Sequence, residues 1–216
     1  MHAGASGGVA VAYDRNMAAA GRKHESLHGS APDRSPIALL VLDMISDFRF
    51  EGGDAIARAT LPVARRIARL AERARRARVP VIFVNDNLGR WRSDLPAIVR
   101  HCARAGSKGA AILEVLAPQR QDYGILKPKH SGFFATPLAT LLEYLGARTL
   151  VLTGASTHQC VLFTANDAYV RDYRLSIPAD CVASKTRAQT RLAARYFRSV
   201  LGADMRPSRR IRFAKK

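Results

Sequence analysis

From Ile37 onward, short apolar runs of strand length alternate with longer stretches in which apolar residues recur every three or four positions. A strand buried on both faces reads as a near-continuous apolar run, while the helix that covers it needs only one apolar face, so this alternation predicts strand-helix-strand units wound into a parallel sheet. Ile37 to Leu42 (IALLVL) is the first predicted strand. A loop through Glu51, Gly52 and Gly53 leads into an amphipathic helix from about Asp54 to Arg78, with Ile67 and Leu70 among its apolar positions. Pro80 to Val84 reads as the second strand, Asn85 to Asp94 as a polar loop, and Leu95 to Ala103 as a helix. Tyr123 to Leu126 is a third strand, followed by a helix over Thr136 to Leu145 that Gly146 stops. A fourth strand over Thr149 to Leu152, a helix from about Thr157 to Asp172, a strand over Arg174 to Ile177, a helix over Thr186 to Leu201 and an edge strand over Arg210 to Phe213 complete the pattern. The expected fold is a three-layer α/β/α domain around a mostly parallel, Rossmann-like, six-stranded sheet with right-handed crossovers. Ligands of such sheets bind beyond the carboxyl ends of the strands, so residues just after strands are the first candidates for chemistry.

Composition fits this architecture. With 216 residues, 48% hydrophobic and 24% charged, the chain has the make-up of a folded globular protein rather than a rod or a disordered polymer. Residues 1–35 are rich in Gly, Ala, Ser and His without sustained periodicity and are expected to form a flexible N-terminal extension, leaving residues 36–216 as one domain. No apolar run approaches the roughly 18 residues of a membrane span. Cys102, Cys160 and Cys181 cannot all pair within one chain, and no long apolar leader is evident, so free thiols in a reducing cytoplasm are expected.

Charge complicates this picture. Lys plus Arg number 35 against 17 Asp plus Glu, a formal net charge of +18, which raises the prospect of nucleic acid, anionic lipid or acidic substrates as partners. The charges fall along one helix (Arg65 to Arg78), along another (Arg187 to Arg198) and in a tail (Arg206 to Lys216), with no aromatic-interleaved basic strand beside them. They read as solvated faces, and nucleic acid is not the expected partner.

Three residues of reactive type stand just past predicted strands: Asp43, Lys127 and, a few residues beyond the fourth, Cys160. Ser156 and Gln159 have the spacing of a capping box, which would start a helix just before Cys160. A thiol near a helix N-terminus and beside a cation holds more thiolate than a free cysteine. Lys127 could be that cation and Asp43 the acceptor of the thiol proton, the division of labour that covalent catalysis by cysteine requires, with backbone amides of the turn facing the developing oxyanion. Cys102 and Cys181 have no such surroundings and are expected to be structural.

These stretches resemble the isochorismatase-like cysteine hydrolase superfamily, which includes nicotinamidases, N-carbamoylsarcosine amidases and ureidoacrylate amidohydrolases. Asp43 to Phe48 is similar to the family's D-x-x-x-D-F, and Lys127 to Phe133 to its K-x-R-Y-S-A-F. Gly154 to Val161, followed by Thr164 to Ala168, is similar to G-x-x-T-x-x-C-V and T-A-x-D-A. The resemblance implies that Asp43 is the acid/base, Lys127 its cationic partner and Cys160 the nucleophile that forms a thioester. It also implies a cis peptide between Ala155 and Ser156, with the amides of Ser156 and Cys160 as the oxyanion hole.

Departures from the family pattern narrow the function. The loop after the second strand, Asp86 to Asp94, lacks the histidines with which nicotinamidases of the family bind a metal, so no metal and no cofactor are expected. Isochorismatases proper typically carry glycine where this chain has Cys160, and Ile45 replaces a common glutamine. Phe48 and Trp91 are candidate substrate-binding walls, while Arg90 and Arg92 either attract a carboxylate or belong to a solvated loop. His130 and His158, inside the motifs, are read as hydrogen-bonding residues, and the resemblance implies a homo-oligomer. The expected activity is metal-independent hydrolysis of a small-molecule amide, carbamoyl or ureido substrate. The alternative is a non-catalytic or redox-responsive member of the fold that binds a polyanion.

Overall fold

The computed structural model describes residues 34–104 and 106–213. The extension expected over residues 1–35 therefore lies outside the described residues except for Arg34 and Ser35. Six strands form one sheet: β1 (Ile37–Leu42), β2 (Val81–Asp86), β3 (Tyr123–Lys127), β4 (Thr149–Ala155), β5 (Arg174–Ser176) and β6 (Val182–Ala183). The order is β3-β2-β1-β4-β5, with β6 pairing β4 beyond β5, and every pairing between these strands is parallel. The helices are α1 (Gly53–Arg76), α2 (Leu95–Cys102), α3 (Ala110–Leu116), α4 (Leu138–Leu145), α5 (Leu162–Tyr169) and α6 (Arg187–Ser199).

Alternation along the strands builds the layers. Leu39, Val41, Val81, Phe83 and Val151 pack on one face with the apolar sides of α1, α2 and α3. Ala38, Leu40, Leu42, Ile82, Val84, Leu150 and Leu152 pack on the other with α4, α5 and α6. Burial of these side chains is the main favourable contribution to the fold, at about 25 cal/mol per Å² of apolar surface. No helix of the described residues is long and apolar enough to cross a membrane.

The structure corrects several sequence expectations. The sixth strand is Val182–Ala183, whereas the expected strand over Arg210 to Phe213 is absent and its start lies in a 3-10 turn, Ser208–Arg210. That segment is held away from the ladder. The Arg73 guanidinium on α1 donates to the carbonyls of Ser208 and Ile211, and Asp180 accepts from the amide and hydroxyl of Ser208 at 2.7 and 2.8 Å. The sheet edge beside β5 is taken instead by Asp204, which bridges Ser176. The helix expected from Thr157 to Asp172 is interrupted: a π-helical turn, Thr157–Val161, in which the Val161 amide donates to the Ser156 carbonyl at 3.2 Å, precedes α5. Ser156 makes no side-chain cap there, and the capping box of the chain is formed by Thr186 and Gln189 at the start of α6.

The juxtaposition of β1 and β4 depends on Gly154. It pairs with Leu42 at φ +117°, and a Cβ there would lie 2.0 Å from the Leu42 carbonyl oxygen, so only glycine lets the two strand ends approach this closely. The chain segments that carry Asp43 and Cys160 therefore leave the sheet side by side.

Candidate active site

Asp43 is the first residue after β1, Lys127 the last of β3, and Cys160 sits in the π-helical turn after β4. Parallel pairing brings all three strand ends to one edge, with Asp86 of β2 in register with Lys127. Asp43 adopts φ 49°, a left-handed conformation rare for a residue with a side chain and concentrated at functional sites. One carboxylate oxygen of Asp43 accepts from the Asp86 amide at 2.5 Å, and the other lies 2.7 Å from the Lys127 ammonium. Lys127 is wholly buried; its Nζ also donates to the Lys129 carbonyl at 3.0 Å and stands 3.5 Å from Cys160 Sγ. Cys160 and Asp43 also influence each other, the thiol favouring the ionised carboxylate and the carboxylate disfavouring the thiolate.

Electrostatics differ from the sequence expectation of an acidified thiol. Burial pushes the Cys160 thiol up and the Asp43 charge pushes it further, more than Lys127 opposes. Burial also raises the Asp43 carboxyl above the ordinary carboxylate range, against the pull of Lys127. Burial alone would lower the Lys127 ammonium, but attraction to Asp43, Cys160 and Asp86 leaves it raised. The three groups thus perturb one another at contact distances of 2.7 Å (Lys127 to Asp43) and 3.5 Å (Lys127 to Cys160).

Backbone and side-chain ties hold the loops in place, several through residues of the sequence motifs, whereas Asn85, His101 and Ser184 lie outside those motifs. Asn85 clamps the main chain of Ile45, accepting from its amide at 2.9 Å and donating to its carbonyl at 2.8 Å. Asp47 pairs with His101 Nε2 at 2.8 Å, joining the β1 loop to α2. Hydrogen bonding, with burial opposing it, leaves the Asp47 carboxyl below its usual range. The Lys127 to Phe133 segment docks on α5, where the Ser131 hydroxyl bonds the Asp167 carboxylate and the Gly132 amide donates to Thr164 Oγ1 at 2.9 Å. His158 bonds the Ser184 hydroxyl at 2.9 Å, and burial lowers its imidazole pKa. Cys102 and Cys181 are free and buried, their thiols pushed up by burial to about 11 and about 12.

Cys160 opens into a pocket of about 360 Å³, within the usual size range of small-molecule sites. Asp43, Phe48, Ser156 and Cys160 all border it, the peptide between Ala155 and Ser156 being cis. His130 borders it too, with Nδ1 3.8 Å from Cys160 Sγ. Trp91, in contrast, is not brought to this pocket: it is 79% exposed and lines a separate cleft with Arg90 and Phe134. The reason is local, since Leu88 and Gly89 both adopt positive φ and turn the chain away after β2. Arg90 and Arg92 are exposed and border no part of the Cys160 pocket, Arg90 lying 3.2 Å from His101 Nε2.

Comparison with known proteins agrees with this architecture. The model of the Isochorismatase domain matches residues 37–205. An uncharacterized isochorismatase family protein of Bacillus subtilis, YaaI, is 40% identical over 174 residues, covering 81% of this chain and 95% of that one. The ureidoacrylate amidohydrolase RutB of Methylorubrum extorquens is 30% identical over 176 residues, 68% of this chain and 70% of its own. Among solved structures, N-carbamoylsarcosine amidase from Thermoplasma acidophilum superposes with a TM-score of 0.61 at 31% identity, covering 82% of this chain and 99% of that chain.

Proposed function

The chain belongs to the isochorismatase family, and from that membership together with the geometry at Cys160 we propose that it is a cysteine hydrolase that cleaves the C–N bond of a small amide, carbamoyl or ureido compound. The observation that carries the proposal is the cluster of Asp43 and Cys160 on the wall of one pocket with Lys127 buried behind them, its ammonium 2.7 Å from the carboxylate and 3.5 Å from the sulfur. Two relatives of this chain are named for amide-type hydrolysis, ureidoacrylate amidohydrolase and N-carbamoylsarcosine amidase, which supports the same bond as the target.

The steps follow from proton positions. Asp43 takes the thiol proton as Cys160 Sγ attacks the carbonyl carbon, and the amides of Ser156 and Cys160 face the oxyanion that forms. The tetrahedral centre collapses; the C–N bond breaks and Asp43 hands its proton to the departing nitrogen. A water then gives a proton to Asp43 and attacks the thioester, and the C–S bond breaks to release an acid or carbamate while the sulfur recovers the proton. Lys127 holds Asp43 ionised between these transfers. No step needs a metal or cofactor. Phe48, on the wall of the pocket, packs against the acyl group. Buried free thiols at Cys102 and Cys181 fit work in a reducing cytoplasm, and a homo-oligomeric state is part of the same proposal.

The test is release of amine or ammonia from a panel of small primary amides, ureas and carbamoyl compounds by wild type, Cys160→Ala and Asp43→Asn. Turnover by wild type that falls at least about a thousandfold in each variant supports the proposal. Turnover that survives Cys160→Ala contradicts it.

A further inference from the structure

The pocket that holds Cys160 has charge of one sign. Its acidic lining groups are Asp43 and Asp86, and much of the remaining wall is Ile45, Phe48, Phe50, Ile56 and Leu88. Among the described residues no lysine or arginine side chain borders it. The nearest cation, Lys127, is completely buried and already engaged by Asp43, the Lys129 carbonyl and Cys160.

Asp86 is placed differently from Asp43. Its side chain is 42% exposed and 4.0 Å from the Lys127 ammonium, while one oxygen accepts from the Leu88 amide at 2.7 Å. That bond fixes the carboxylate at the rim. A substrate carboxylate entering the pocket would meet Asp86, whose nearest cation, Lys127 at 4.0 Å, is buried and already paired with Asp43 at 2.7 Å, and like charges brought together are unfavourable. An uncharged acyl group would instead bury its surface against the apolar side chains. The net charge of +18 attracts anions to the molecule at large, but at physiological salt that attraction is screened beyond about 8 Å, so Asp86 sets the local sign.

We propose that this pocket selects uncharged amides with an apolar acyl portion, and that Asp86 is the specificity-determining residue that excludes carboxylate-bearing substrates. The inference rests on the amidohydrolase reading and sharpens it, because ureidoacrylate and N-carbamoylsarcosine, for which two of the relatives are named, carry a carboxylate whereas this pocket is built against one. His130 also borders the pocket, its ring 5.3 Å from that of Phe163 and its Nδ1 3.8 Å from the sulfur, so all comparisons are made at one fixed pH.

The experiment compares uncharged amides, with acyl groups from acetyl to phenylacetyl, with counterparts that carry a carboxylate at the far end of the acyl group. Each is read as kcat/KM and as a Cys160 adduct by intact mass. The uncharged member of each pair is expected to be favoured at least roughly tenfold, and Asp86→Asn, which can still accept from the Leu88 amide, to shrink that ratio by raising the carboxylated member. Equal or better turnover of the carboxylated members, or a ratio that Asp86→Asn leaves untouched, overturns the selectivity while Cys160 adducts keep the hydrolase reading. Absence of both turnover and adduct across the whole set, with Cys160→Ala indistinguishable from wild type, overturns the hydrolase reading and this inference with it.

Discussion

The Lys127 ammonium lies 2.7 Å from the Asp43 carboxylate in a position where none of the lysine side chain reaches solvent. Removing one partner of such a pair strands the other. Lys127→Met is expected to destabilise the fold by about 3 kcal/mol, the low end for a broken buried pair because 15% of the Asp43 side chain still reaches water. Urea denaturation reads this loss. Activity should vanish in the same variant, because Asp43 without its counter-ion is protonated more readily and no longer accepts the thiol proton.

Asp47 offers a pH test of the loop that carries Phe48. Its folded-state carboxyl is lowered; burial acts against the shift, and bonds from the Arg49 amide and His101 outweigh it. A lowered carboxyl contributes stability that is fully present above its unfolded value of about 3.9 and is lost as pH falls through the folded value. Asp47→Asn should therefore be less stable than wild type by about 1.5–3 kcal/mol near neutral pH. The gap between the two melting temperatures should close towards the acid end; a gap that stays constant would show that the carboxylate charge is not what matters.

Much of this arrangement is legible in the sequence, and the failures have physical causes. The strand IALLVL and the amphipathic run that became α1 carry their periodicity over many residues, so their neighbours could not disguise them. Val182–Ala183 spans two residues, too short for any period, and exists because β4 runs on through Gly154 and Ala155 to meet it. Helix α3 has no side-chain cap at Gly109 to announce its seven residues. The alternation of charged and apolar residues over Arg210 to Phe213 is compatible with an edge strand, but the Arg73 guanidinium, 135 residues away from Ser208, decided its place. Asp43, Lys127 and Cys160 could be singled out because each follows a readable strand, and Phe48 because it lies within the Asp43 motif. Trp91 could not be placed, since the turn that sends it outward depends on a left-handed Leu88 that no residue type signals. Thr164 and Asp167 stand in the T-A-x-D-A stretch, but their partners, 32 and 36 residues away, could not be read from one sequence, and Asn85, bonded to Ile45 40 residues away, carried no signal at all.

Thr164 links the lysine segment to the helix after the nucleophile. Thr164→Val keeps the volume but leaves the buried Gly132 amide without its acceptor at 2.9 Å, an expected loss of about 1–3 kcal/mol in urea. Because that amide anchors the segment running back to Lys127, kcat should fall roughly 10-fold to 100-fold as well. Thr164→Ser, which restores the hydroxyl, should recover most of both. A kcat unchanged in Thr164→Val would show that the segment holds Lys127 without this tie.

The central claim is that Cys160 forms a covalent acyl-enzyme. Intact mass after brief incubation with the amide panel and an acid quench tests it most directly, with Cys160→Ala as the control. The expected result is an adduct on wild type alone, of a mass equal to the substrate acyl group less the thiol hydrogen. Turnover with no adduct on wild type at any quench time, or an equal adduct on Cys160→Ala, would contradict the account.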